Sequence, residues 1–372
     1  MKRRLLLPVL VGFALALMSH ASAETSPPPV DKNAPKLPKI TGSGSLTPLP
    51  EGAFTLVVIP DTQHYTGLGC KGALASDDPV ENRHLAAQVE WILANREAQN
   101  IVFVTHVGDI VEKNRAEEWA VARAHLDRLR GVVPFSLTVG NHDMSSKGDA
   151  RLFQSHFPAS SFAEQAWYLG CYTHDRPDQE VSANNVNSAQ IFSVGGVDFL
   201  HLSLECNAPD DVLAWADALL KRHPDRRAIV TTHMDLGIVE KPKTAAGYIH
   251  DPKGRMRWSK IHGARGNHGE ALWEKLFRRH PNLDFILCGD QSRVTALRLD
   301  ATADDGHTVT SLLSDYMSEP VLRLMRFLPS ENRIDAITWH VPGGFLVEAT
   351  VHVPERGQHQ FSLEFEMAGQ GR

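Results

Sequence analysis

Between Phe54 and Val139 the chain alternates short apolar runs with amphipathic stretches, and this alternation constrains the fold most. Phe54 to Ile59 reads as a buried strand, and Leu85, Val89, Ile92 and Leu93 then recur at helical spacing. Ile101 to Val107 is a second buried strand, Trp119, Ala122, Leu126 and Leu129 mark a second helix face, and Val132 to Val139 is a third strand. A β-α-β-α-β order predicts parallel strands joined by crossover helices. Further on, Ile191–Val194 and Val197–Leu204 flank Gly195-Gly196, a hairpin signal. Val212 to Leu220 is helical, Ala228 to Thr232 a strand, and Leu272, Trp273, Leu276 and Phe277 a helix face before a strand at Leu283. After Val294 the pattern is mostly strand-like. A length of 372 residues allows one large α/β domain or two smaller ones, and the stretch from about 52 to 368 reads as one domain with mixed sheets.

What precedes this pattern reads differently. Lys2, Arg3 and Arg4 precede the apolar run Leu5–Met18, and Ala21-Ser22-Ala23 is a small-x-small cleavage site. Residues 1–23 are therefore expected to be a secretory signal peptide, and the protein to be exported to the periplasm or medium. The run is too short for a stable span, so no membrane span is expected after cleavage. Residues 24–50 are rich in Pro, Ser, Thr, Lys and Gly and are expected to be a linker without packed structure, ahead of a domain over 51–372. Cleavage removes three positive charges and takes the formal net charge from −6 to −9, which argues against nucleic acid as a partner. An oxidising compartment permits disulfides; one bridge is expected among Cys70, Cys171 and Cys206, with Cys288 a buried thiol.

In an open α/β sheet, ligands bind beyond the carboxyl ends of the strands. The predicted strands are followed by Asp61 and Gln63, by Gly108-Asp109, by Gly140-Asn141-His142-Asp143, by His233, and by Gly289-Asp290. Carboxylate, amide and imidazole in register on one sheet edge form a divalent-metal ligand set.

Asp61-x-Gln63, Gly108-Asp109-x-Val111-Glu112, Gly140-Asn141-His142-Asp143, Thr232-His233 and Cys288-Gly289-Asp290-x-Ser292 together resemble the calcineurin-like metallophosphoesterases, in a bacterial branch that opens with Asp-Thr-Gln. The resemblance implies a four-layer α/β/β/α sandwich of two mixed sheets. It implies a metal-dependent phosphoesterase acting on small-molecule phosphomonoesters or phosphodiesters. Asp109 would bridge two ions, one also held by Asp61 and Gln63, the other by Asn141, His233 and Asp290. The ions would be Mn, Mg, Fe or Zn. A metal-activated hydroxide would attack, His142 would protonate the leaving oxygen, and Glu112 would orient that imidazole.

The family ends this motif set with Gly-His-x-His, whereas this chain has Gly289-Asp290-Gln291-Ser292. Two readings stay open. The site holds two ions of harder character, or it holds one, in a protein that binds a ligand or partner without turnover. Arg293 is either a phosphate donor or a solvated Arg, His64 is either a surrogate ligand or a bystander, and His106 reads as structural. A polar loop from about 240 to 268, carrying Arg255, His262, Arg265 and His268, is expected to shape the entrance.

Overall fold

A computed structural model of the chain describes residues 39–71 and 76–367. The expected signal peptide and most of the expected linker lie outside the described residues. In chain order the strands are β1 (Ile40–Ser43), β2 (Phe54–Ile59), β3 (Ile101–His106), β4 (Phe135–Leu137), β5 (Tyr168–Cys171), β6 (Ser188–Val194), β7 (Val197–Leu204), β8 (Arg227–Thr232), β9 (Leu236–Ile238), β10 (Lys253–Arg255), β11 (Leu283–Cys288), β12 (Ala296–Thr302), β13 (Thr308–Ser314), β14 (Val321–Leu328), β15 (Arg333–His340), β16 (Phe345–Thr350) and β17 (Gln360–Glu364). The helices are α1 (Arg83–Asn95), α2 (Ala116–Leu126), α3 (Arg151–His156), α4 (Asp210–Arg222), α5 (Gly247–His250) and α6 (Gly269–Lys275). None of the described helices is long and apolar enough to cross a membrane.

One sheet runs β1-β16-β15-β14-β2-β3-β4, with β17 also paired to β15; the other runs β12-β13-β11-β8-β7-β6-β5. β2, β3 and β4 are parallel, as the alternation predicts. Side chains on a strand alternate between faces. On β2, Val57 and Ile59 join a cluster with Leu85, Val89 and Ile92 of α1 and Trp119 of α2. Phe54, Leu56 and Val58 join Phe199, Ile229 and Phe285 of the other sheet. That sheet's far face, with Leu200, Leu202 and Val230, packs on Val212 and Leu220 of α4 and Leu272 of α6. Helices, sheet, sheet, helices are the four layers that the resemblance implies. Phe54 stacks on Phe327 at 4.8 Å and meets Phe199 edge-on at 6.0 Å, so aromatic pairs fill the seam between the sheets.

α1 starts where Asn82 accepts the Leu85 amide at 3.0 Å, a side-chain cap. Its buried stripe carries Gln88, whose amide donates to the Val321 carbonyl at 2.7 Å and ties the helix to β14.

Three expectations need correction. Residues 40–43 lie in the segment expected to lack packed structure, yet they form β1 and pair antiparallel with β16. Ile40 explains this, because it is buried with Tyr316, Val321 and Val347. The third strand is shorter than expected because Val139 turns toward the other sheet, where its carbonyl accepts the Cys206 amide at 2.8 Å. All four cysteines are free, so the expected bridge is absent; Cys70, Cys206 and Cys288 are buried thiols.

Candidate metal centre

Asp61 follows β2, Asp109 follows β3, Asn141 and His142 follow β4, His233 follows β8 and Asp290 follows β11. All five strands end at one edge, and three of these residues share a point. A carboxylate oxygen of Asp61, one of Asp109 and a ring nitrogen of His233 lie within 4.8 Å of one another, all buried. Two glycines allow this approach. A Cβ on Gly140 would stand 2.2 Å from Asp109 Oδ1, and one on Gly289 would stand 2.2 Å from Asp61 Oδ1. Asp109 and Asp290 themselves adopt left-handed backbone, with φ of 52° and 76°, uncommon for residues other than glycine and often found at functional sites.

Asp109 Oδ1 accepts the His142 amide at 2.8 Å, and Oδ2 accepts the Gln63 side-chain amide at 3.0 Å. His233 is fixed by its Nδ1 against the Val107 carbonyl at 2.9 Å. A carbonyl only accepts, so Nδ1 carries the proton and Nε2 faces the carboxylates. Nε2 lies 3.0 Å from Asp109 Oδ1 without a hydrogen bond, and Asp61 Oδ1 also has no hydrogen-bond partner. Two orphaned buried donors in one cluster of oxygens and an imidazole fit a divalent cation.

The electrostatics agree. Burial raises the Asp61 carboxyl well above the ordinary range, and Asp315, Asp109 and Asp290 add to it. Burial likewise lifts Asp315 to about 7. Four carboxylates crowded out of water call for positive charge.

The remaining expected residues fall as follows. Asp290 Oδ1 comes within 3.6 Å of His233 Nε2, but it and Asn141 Oδ1 are both taken by the ammonium of Lys260, at 3.1 Å for Asn141. Ser292 is exposed. His142 Nδ1 bonds the main-chain carbonyl of Glu112 at 2.7 Å. The expected role of the Glu112 carboxylate is thereby corrected: it is drawn outward to Lys71 at 2.9 Å, and the backbone meets the imidazole instead. His64 stacks on His84 at 3.8 Å, and Arg293 lies 5.5 Å over the Tyr248 ring. In the polar loop, Arg255 pairs with buried Asp235, and His268 caps α6 at the Ala271 amide.

Sequence reasoning missed three contributors. Asp315 adds a buried carboxylate beside Asp61. Ser318 closes a run of three non-glycine residues in left-handed backbone, Tyr316, Met317 and Ser318, and its hydroxyl accepts the Gln63 amide at 3.1 Å. Lys260 comes from the loop. The signal for Asp315 was present, since it follows β13 as Asp290 follows β11.

Comparison with known proteins gives the context. The uncharacterized protein YvnB of Bacillus subtilis (strain 168) is 27% identical over 301 residues, covering 77% of this chain and 20% of YvnB. The chain thus spans about a fifth of that relative's length. Among solved structures, the NAD nucleotidase NadN of Haemophilus influenzae is similar over 80% of this chain and 49% of its own, with a TM-score of 0.41 and 14% identity. GAP50, the anchor in the inner membrane complex of Plasmodium, is similar over 86% and 91%, with a TM-score of 0.45 and 9% identity. The calcineurin-like phosphoesterase family model matches residues 54–293, more than half of the chain and the strand ends that carry Asp61, Asp109, Asn141, His233 and Asp290. On that match, with the Asp61, Asp109 and His233 cluster inside it, the chain belongs to the calcineurin-like phosphoesterase family.

Proposed function

We propose that this protein hydrolyses small-molecule phosphomonoesters or phosphodiesters in a metal-dependent reaction, with His142 protonating the leaving oxygen. The observation that carries this reading is the buried trio with two orphaned donor atoms, Asp61 Oδ1 and His233 Nε2. Asp61, Asp109 and His233 would hold the cation, with Gln63 at its rim. When bound, a divalent ion supplies Lewis acidity, which draws charge from phosphoryl oxygens and lowers the pKa of water. One imidazole among oxygen donors favours harder ions such as Mn²⁺ or Mg²⁺.

The chain's own residues account for orientation and proton delivery. His142 is half-buried, its amide on Asp109 and its Nδ1 on the Glu112 carbonyl. Because that carbonyl only accepts, Nδ1 keeps a proton in either charge state. The proton given to the leaving oxygen is therefore one on Nε2. Asp109 links the two functions, since one carboxylate faces the cation pocket and anchors the backbone of the acid.

His142→Ala is expected to lower kcat on p-nitrophenyl phosphate or its bis-ester by about 10²–10⁴-fold in the presence of Mn²⁺. Asp109→Asn is expected to abolish both metal retention and turnover. Full activity in either variant rules the reading out. The exposure of Ser292 favours a second reading, metal-dependent binding without turnover. That reading expects metal-loaded wild type to leave both esters intact.

We also propose export, supported by the pattern of residues 1–23. Mass spectrometry of the mature protein should find these residues removed in the periplasmic fraction or medium. An intact N-terminus on protein retained in the cytoplasm overturns it.

A further inference from the structure

We propose that the ammonium of Lys260 stands in the place of a second metal ion, so that the pocket is built for one divalent cation beside one fixed monovalent cation. The inference rests on the metal-dependent reading of the same pocket. Lys260 Nζ donates to Asn141 Oδ1 at 3.1 Å and to Asp290 Oδ1. These are two of the oxygen donors that the family resemblance allots to a second ion. Lys260 lies 119 positions after Asn141 and 30 before Asp290, so only the folded loop brings them together.

The mount of this side chain argues against a casual surface ion pair. Asn207 Oδ1 accepts the backbone amides of Lys260 at 2.9 Å and of Ile261 at 3.2 Å. The Asn207 side-chain amide in turn donates to the Asn267 carbonyl at 3.0 Å, clamping the loop from both sides. One residue further on, His262 pairs with Glu205 at 2.9 Å, both buried. Glu205 and Asn207 follow β7, so the sheet itself supports the loop. An exposed lysine in a mobile loop would sample many rotamers, whereas here the buried Asn207 side chain holds the backbone beneath it and the buried His262–Glu205 pair anchors the loop just beyond.

Charge and ligand supply agree. The Lys260 ammonium, two-thirds buried, sits against the Asp290 carboxylate, so a cation already occupies the space between Asn141 and Asp290. Asp61, Asp109 and His233 are the group able to share one ion among the described residues, and Asp290 is outside that group. Lys260 has a third N–H beyond the two it donates, and this donor is available to a phosphoryl oxygen.

The test is the metal count. Wild-type protein and Lys260→Met, which keeps the aliphatic stem, are saturated with Mn²⁺, desalted and assayed by elemental analysis. Lys260→Met is expected to hold one ion per chain more than wild type, two against one. Equal counts overturn the proposal. Electron paramagnetic resonance of Mn²⁺-saturated wild type is the second measurement, independent of any variant's folding. Isolated ions are expected, and an exchange-coupled pair overturns it. Turnover of p-nitrophenyl esters is measured on the same samples. A silent wild type that still shows the gain of one ion in Lys260→Met removes the phosphoesterase reading and leaves this inference standing.

Discussion

His201 and His233 are both buried, and their ring nitrogens meet different partners. His201 sits between Gln190 Oε1 at 2.9 Å and Thr231 Oγ1 at 2.8 Å, and burial lowers it to about 3. His233 instead turns Nδ1 to the Val107 carbonyl at 2.9 Å and leaves Nε2 facing the carboxylates. His201 thus binds its proton far less readily folded than unfolded. Its contribution to stability is full above the ordinary value of 6.5 and is lost as pH falls from there toward 3. Urea unfolding between pH 7 and pH 4 should show stability falling with a slope of up to about 1.4 kcal/mol per pH unit from this residue. His201→Asn should flatten that slope, whatever it does to stability at pH 7. At this scale Asp61, Asp109, Asn141, His142 and His233 were legible because each follows a strand. Lys260 was not, since a lysine in a polar loop looks the same whether it is solvated or clamped. The Glu112 carbonyl was invisible for a simpler reason: every residue has one, and only the fold decides which is used.

Elements were legible where their apolar pattern was long. β2, β3 and β11 are buried along most or all of their length and read as largely apolar runs, while β7 and β14 are as buried but carry His201 and the arginines Arg323 and Arg326. β1 was not, because four residues after a proline-rich stretch carry little pattern, and only Ile40 faces the core. Its assignment is testable, since Ile40→Ala should cost about 2 kcal/mol of unfolding free energy by urea titration. The intersheet seam should be more sensitive. Phe199 contacts Phe54, Phe192 and Phe327, and Phe199→Ala is expected to cost about 3–5 kcal/mol, read the same way. β5 and the β9–β10 pair escaped notice because they are three or four residues long and bordered by polar turns.

The whole molecule converges five strand ends on one negatively charged pocket, so stability and metal should be linked. A divalent ion present at a hundred times its dissociation constant stabilises by about 2.7 kcal/mol. Thermal unfolding should accordingly move up by a few degrees on adding Mn²⁺, and EDTA should reverse the shift. The parallel core of β2, β3 and β4 was legible from the alternation and the two-sheet sandwich from the family resemblance, but the partner of each strand was not, because pairing such as that of β2 with β14 joins segments more than two hundred residues apart. β2 lies between β3 and β14, and β14 begins at Val321, beyond the matched segment 54–293. A fragment of residues 54–293 should therefore lack a cooperative urea transition, with β2 left as an open edge. The same pairing orders events during synthesis. The first strand of the pocket leaves the ribosome early but gains its second neighbour only after more than two hundred further residues have been made. Until then it is an apolar strand with one side unpaired, and the site that its end helps to build is among the last parts of the molecule to close.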